Sequence, residues 1–324
     1  MNRHRKEIIA GNEISEILDF QLGGYRQKVL IEGKFTDSPM VLFLHGGPGS
    51  PLPFNVGCRG MFPELSERFV MVYWDQLGCG INDRRLDNRL SINDYFEMTI
   101  DLVEALKKRF PQNKLILFGV SWGSILAAKT AAALPEIIDG VFVYGQVLKS
   151  LLLNCEVYDT LSATELPAKV RKKLDIIRTK EAHTIEDARN ISIWVRKYTA
   201  GYNVKTSPSI PMGKFFSGFL TSPDYTLKNV FSLFINNCTK ITSLMEELLD
   251  IDMSETLQKM QVPYMIFQGD HDIVTSTKSV KAFSENINNA NVSVSIVENS
   301  AHMPSKAAMD ILFDQLVHMS ILIG

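Results

Sequence analysis

Five short apolar runs, each ending at a polar residue or a glycine and each separated from the next by a helical stretch or a loop, constrain this chain more than any other feature. Met40-Val41-Leu42-Phe43-Leu44 stops at His45-Gly46-Gly47, Phe69 to Trp74 stops at Asp75, and Leu115-Ile116-Leu117-Phe118 stops at Gly119. Val141-Phe142-Val143-Tyr144 and Tyr264-Met265-Ile266-Phe267 repeat the pattern, with Val29-Leu30-Ile31 before them and Val292 to Val297 after. Strands that are apolar on both sides have no solvent face, as in a parallel sheet covered by helices above and below. Ser91 to Phe110 has apolar residues at close to a 3.6-residue period, with Ser91 and Asp94 at capping-box positions, and Ile125 to Leu134 is Ala-rich and stops near Pro135. Right-handed crossovers then predict an α/β fold with a mostly parallel, doubly wound sheet. A last helix is expected from about Pro304, preceded by one over Thr275 to Asn286.

Between about Leu148 and Glu255 this rhythm stops. The stretch reads as amphipathic helices joined by loops such as Ser207-Pro208-Ser209-Ile210-Pro211. The expected organisation is therefore a discontinuous core, 1–147 and 256–324, with an inserted helical cap at 148–255.

The chain has 34 Lys+Arg against 36 Asp+Glu, a formal net charge of −2, and no basic block, so it carries no footprint for a phosphate backbone. Neither nucleic acid nor an anionic membrane is an expected partner. No apolar run is long enough to span a bilayer, and the charged N-terminus lacks the apolar stretch of a signal peptide. Cys58, Cys79, Cys155 and Cys238 form no metal-binding spacing and no disulfide framework. Four free thiols suit a reducing compartment, so a cytoplasmic location is expected.

The sharpest local signal is Gly119-Val120-Ser121-Trp122-Gly123, set between an apolar strand and an Ala-rich helix. A serine on a strained strand-to-helix turn, with small neighbours, projects its hydroxyl into the cleft at the strand's C-terminal end. Such a nucleophile needs a base and an acid to orient that base, on loops after later strands in the order Ser, Asp/Glu, His. Asp270-His271-Asp272 follows the Tyr264 strand and Ser300-Ala301-His302 follows the Val292 strand. His302 is the expected base. Asp272 is preferred over Asp270 as the acid, because the acid must reach away from its strand end. The Asp-His-Asp triplet also reads as metal ligands, but adjacent turn residues rarely converge on one ion, so neither metal nor cofactor is expected. Oxyanion donors are expected from the N–H of Trp122 and from Gly46 or Gly47 in the His45-Gly46-Gly47-Pro48-Gly49 turn. A phosphate-cradling reading of these glycines fails for want of a P-loop Lys-Ser/Thr or a G-x-G-x-x-G. Trp194, Tyr198, Phe215 and Phe216 are candidates for an apolar substrate pocket in the cap, against the alternative that such aromatics are cap core.

Taken together, the His45–Gly49 turn, Trp74-Asp75-Gln76-Leu77-Gly78-Cys79-Gly80, the Ser121 motif, Gly269-Asp270-His271-Asp272 and Ser300-Ala301-His302 resemble, in order, the proline iminopeptidase-like serine peptidases of the α/β-hydrolase superfamily. The resemblance implies an α/β-hydrolase fold with a cap domain, the acid at the fourth position of the Gly269 loop, and an aminopeptidase releasing N-terminal residues from short peptides. The family's aminopeptidases hold the substrate ammonium with cap glutamates. Here the corresponding stretches, Ile193 to Tyr198 and Phe231 to Asn237, contain no Glu. Asp224, Glu246 and Glu247 are other cap acids that could take that role. An esterase or lactonase on small acyl substrates is therefore the second expectation, and a ligand-sensing protein with slow turnover the third.

Overall fold

The computed structural model describes residues 3–204, 212–233 and 238–323, the side chains of Met212 and Lys214 excepted. Eight strands form one sheet: β1 (Ile14–Leu22), β2 (Tyr25–Gly33), β3 (Met40–Leu44), β4 (Val70–Trp74), β5 (Leu115–Val120), β6 (Gly140–Tyr144), β7 (Tyr264–Gly269) and β8 (Val292–Val297). Their spatial order is β1-β2-β4-β3-β5-β6-β7-β8. The β1–β2 and β2–β4 pairs are antiparallel and all the others parallel. The expected mostly parallel sheet is thus present, with an antiparallel hairpin added at one edge.

That hairpin adds to the expected sheet. Only its second strand, around Val29–Ile31, is legible as an apolar run. β1 carries Glu16, Asp19 and Gln21 on a half-exposed edge and has no such run. The turn between the two strands is Gly23-Gly24, both with positive φ (56° and 79°), the backbone a two-residue hairpin demands.

Successive strand residues face opposite sides, and in the central strands β3, β4 and β6 both sides are dry. Leu42, Leu44, Val70, Val72 and Trp74 join one apolar cluster, whereas Val41, Phe43, Met71 and Tyr73 join the other. The first face is covered by α3 (Ile92–Arg109) and α4 (Trp122–Ala133), the second by α13 (Lys306–Leu322) with the short α2 (Pro63–Ser66). α1 (Arg3–Gly11) precedes β1, and α12 (Thr277–Asn286) lies between β7 and β8. The Ser91–Asp94 capping box forms as expected, each side chain accepting from the other residue's backbone N–H. Burial of each large apolar side chain in these clusters contributes roughly 1.5–3 kcal/mol.

Between β6 and β7 the chain is helical: α5 (Cys155–Ala163), α6 (Ala168–Arg178), α7 (Ile185–Tyr198), α8 (Met212–Leu220), α9 (Leu227–Ser232), α10 (Thr242–Leu249) and α11 (Ser254–Gln258). α5 to α7 share an apolar cluster with Ile273 and Val274 of the loop after β7, and α8 and α9 pack with Cys58 and its neighbours. Cys238, Ile241, Leu244 and Leu248 join the main cluster beside α3 and α4 instead, so the end of this segment shares the core of the sheet. The Ser207–Pro211 loop and Phe234 to Asn237 lie outside the described residues. Among the described residues, no helix is long and apolar enough to cross a membrane.

Candidate active site

Ser121 joins β5 to α4 with φ 52° and ψ −119°, a conformation costly for a residue with a Cβ. It is held there from both sides: its N–H donates to Tyr144 O at 3.1 Å, and its carbonyl accepts from Ser124 N at 2.8 Å. The glycine after it is obligatory, since a Cβ on Gly123 would sit inside the van der Waals envelope of the Leu44 carbonyl. This close approach brings the end of β3, and with it the His45–Gly49 turn, against the serine. Gly46 lies against Val120 and Ser121, and Gly47 has φ 123°, closed to side chains.

The loops after β7 and β8 supply the partners. His302 Nδ1 donates to Asp272 Oδ2 at 3.0 Å. Asp272 is fully buried, and its remaining lone pairs are filled by Thr275 Oγ1 at 2.8 Å and by the N–H groups of Val274 and Thr275 at 2.8 and 3.1 Å. Such a carboxylate cannot rotate away from the imidazole. Asp270 points elsewhere: it contacts His271 at 2.8 Å and accepts from Ser300 N at 2.9 Å, pinning one loop to the other. Tyr144 completes the frame, its hydroxyl donating to Ala301 O at 2.5 Å.

Ser121, Gly46, Gly47 and His302 line one cavity of about 650 Å³. Phe43, Phe54 and Phe118 form part of its wall from the sheet side, and Arg189, Ile193 and Arg196 of α7 from the other. Trp122 sits beneath, fully buried; its main-chain N–H opens α4 and so has no acceptor within the helix.

The four aromatics expected at a substrate pocket are not there. Trp194 is buried in the α5–α7 cluster and Tyr198 packs against it, because both lie on the inner stripe of α7. Phe215 packs toward Phe62, at 5.8 Å between ring centroids, and Phe216 is exposed. The aromatics that do line the cavity come mostly from strand ends and the turns after them. Of the cap acids, Asp224 pairs with Arg59 at 3.2 Å and Glu247 accepts from Ile92 N at 2.8 Å. No Asp or Glu lines the cavity among the described residues, and segments 205–211 and 234–237 contain none in sequence.

Two residues in the recognised motifs have roles that their spacing does not reveal. His45 is fully buried, and burial pushes its imidazole down to about 4, so it is neutral near pH 7. Its Nδ1 donates to Gly46 O at 2.9 Å while Nε2 accepts from Gln76 N at 3.0 Å. Gln76 in turn accepts from Trp122 Nε1 at 2.8 Å. Tyr202, another cap aromatic, does line the cavity; its ring lies 5.7 Å from that of His302, and Met303 N donates to its carbonyl at 2.9 Å.

A parallel sheet with a strained serine after its fifth strand, and a histidine–carboxylate pair after the last two, is the architecture of an α/β-type hydrolase. The chain belongs to the α/β hydrolase fold family, whose sequence model matches residues 39–306. It is 24% identical over 299 residues to the probable aminopeptidase YbaC of Bacillus subtilis, a match covering 90% of this chain and 92% of that one. To the proline iminopeptidase of Neisseria meningitidis serogroup A it is 34% identical over 109 residues, about a third of each chain. Among solved structures it is similar in fold to VinJ, with a TM-score of 0.65 at 20% identity over 97% of this chain and 100% of that one. The proline iminopeptidase of Mycobacterium smegmatis gives a TM-score of 0.64 at 16% identity over 95% and 98%. The protein is a hydrolase, and its curated relatives include a probable aminopeptidase and proline iminopeptidases.

Proposed function

We propose that the protein is a serine hydrolase working through an acyl-enzyme, with Ser121 as nucleophile, His302 as base and Asp272 as the acid that orients it. The observation that carries this reading is the buried Asp272 on His302 Nδ1, which leaves Nε2 free to face the cavity that Ser121 shares. Ser121 Oγ attacks the substrate carbonyl carbon as His302 Nε2 takes its proton, and Asp272 stabilises the imidazolium. The carbonyl oxygen becomes an oxyanion, met by the N–H of Trp122 and that of Gly46 or Gly47. Collapse expels the amine or alcohol, which receives the proton from His302. Water, deprotonated by the same imidazole, then attacks the acyl-enzyme and releases a carboxylic acid and free Ser121. Residues 148–255 act as the cap that closes this cleft over the core of 1–147 and 256–324.

Aminopeptidase action on short peptides is the first reading of the substrate, supported by the names of the relatives. Esterase action on small acyl substrates is the second, favoured by the lining: an α-ammonium would have no carboxylate to meet there. Turnover of prolyl and alanyl p-nitroanilides beside short-chain p-nitrophenyl esters, with Ser121→Ala as blank, tests both. Amide cleavage that disappears when the substrate amine is acetylated supports the aminopeptidase. Ester cleavage alone supports the esterase, and a folded protein whose Ser121 resists a fluorophosphonate removes the serine mechanism.

A further inference from the structure

Helix α7 presents Arg189, Ser192, Ile193 and Arg196 to the cavity. This spacing of i, i+3, i+4 and i+7 is one face of a helix. Neither guanidinium has a carboxylate partner among the described residues, and the cavity brings none. Arg196 is nevertheless not adrift. Its Cζ lies 3.9 Å from the centroid of the Tyr202 ring, and that ring lies 5.7 Å from His302. The backbone around Tyr202 is fastened to the His302 loop, with Met303 N donating to Tyr202 O. A guanidinium is thus placed over an aromatic ring, one ring away from the base of the site, with no hydrogen bond from its N–H groups to the described residues. Stacking of this kind fixes a guanidinium without using its hydrogen-bond donors.

A mostly apolar cleft with two solvent-exposed cations on one wall, neither paired with a carboxylate among the described residues, is matched by a ligand that is apolar at one end and an oxyanion at the other. A carboxylate entering the cleft loses water, and only a charge-assisted pair offsets that loss. We propose that Arg196, assisted by Arg189, is the anchor for a carboxylate or phosphate on the substrate, so that the substrates of this site are small acyl compounds carrying a negative charge near the scissile bond. The C-terminal carboxylate of a short peptide and the acid group of a half-ester both fit this description. The proposal rests on Ser121 being the reacting centre but is tested without turnover.

Calorimetric titration of the full-length Ser121→Ala protein with 4-phenylbutyrate, with its neutral amide and with 3-phenylpropyl phosphate measures the preference directly. The carboxylate is expected to bind about tenfold more tightly than the amide, a margin that shrinks with added salt. Arg196→Gln should erase the margin, Arg196→Lys should keep part of it, and Arg189→Gln should reduce it less. Tighter binding of the phosphate than of the carboxylate would identify a phosphate ester as the source of the charge. Equal affinity for acid and amide, or a margin that survives Arg196→Gln, overturns the proposal and reduces both arginines to solvated surface charges. Fluorophosphonate labelling of the unsubstituted protein reports separately on Ser121, so a failed anchor and a failed serine mechanism give different results.

Discussion

Gln76 joins the two sides of the candidate oxyanion site: its Oε1 accepts from Trp122 Nε1 at 2.8 Å, and its Nε2 donates to the carbonyl of His45 at 3.4 Å. The residue after Ser121 and the residue that opens the glycine turn are therefore braced by one buried amide. Gln76→Leu keeps the volume but strands an indole N–H and a carbonyl, at a stability cost of about 1–3 kcal/mol. Because the displaced groups adjoin the proposed oxyanion donors, kcat should fall about tenfold or more with little change in KM. Steady-state kinetics on the best substrate of the panel decides it. A kcat within twofold of wild type would make Gln76 a packing residue only.

The two acids of the Gly269 loop give opposite expectations. Asp272→Asn leaves the loop its shape but replaces the acceptor of His302 Nδ1–H, and kcat should fall by about 10²–10⁴. Asp270→Asn removes a contact to exposed His271 and weakens one to Ser300 N, so activity should stay within a few-fold. The reverse ranking would move the acid to Asp270.

Gly123→Ala tests how tightly β3 is pressed onto the serine turn. The new methyl meets the Leu44 carbonyl and also the His45 carbonyl at 2.9 Å, both of them backbone that cannot swing aside. A destabilisation of about 3 kcal/mol or more is expected, read as a shifted urea midpoint. A neutral substitution would mean that the turn relaxes freely, and activity should then survive as well.

Much of this was legible in the sequence because the relevant signals are local. Dry strands declare themselves as apolar runs such as Met40 to Leu44, and Ser121 and Asp272 each follow one, whereas His302 follows β8, where Val and Ser alternate and the serines face outward. β1 escaped because an edge strand half open to water has no apolar run, although Gly23-Gly24 marked its hairpin. The cap aromatics escaped for another reason. Aromatic content says nothing of direction, whereas the helical period does: Ile191, Trp194 and Tyr198 form one stripe of α7, and Arg189, Ser192, Ile193 and Arg196 form the other. The inner stripe packs against α5 and α6, which leaves the arginine stripe to the cleft. The braces made by His45 and Gln76 join segments about thirty and forty-six residues apart, and no spacing rule reports contacts of that range.

Two buried carboxyls make the stability of this fold depend on pH. Burial is the main force raising Glu32 to about 7, with the Gly60 N–H and the charges of Arg59 and Arg5 pulling the other way. Burial likewise raises Asp75 to about 6, against hydrogen bonds from Tyr225, Ile81 and Val56. A carboxyl whose folded value lies above its unfolded one holds its proton longer in the folded chain. Stability from that source is therefore fully present below the unfolded value, near 4–4.5, and is lost as pH rises through the folded one. For Glu32 the loss is on the order of 3 kcal/mol between about pH 4.5 and 7. Urea midpoints taken across pH 4.5–8 should fall with rising pH, and Glu32→Gln, which cannot ionise, should flatten that fall whatever its effect on the midpoint at a single pH. Asp75→Asn should flatten the lower part of the same window, from about pH 4 to 6. An unchanged slope in Glu32→Gln would show that Glu32 enters the folded state already ionised, held by Arg5 and Arg59 more strongly than burial opposes it.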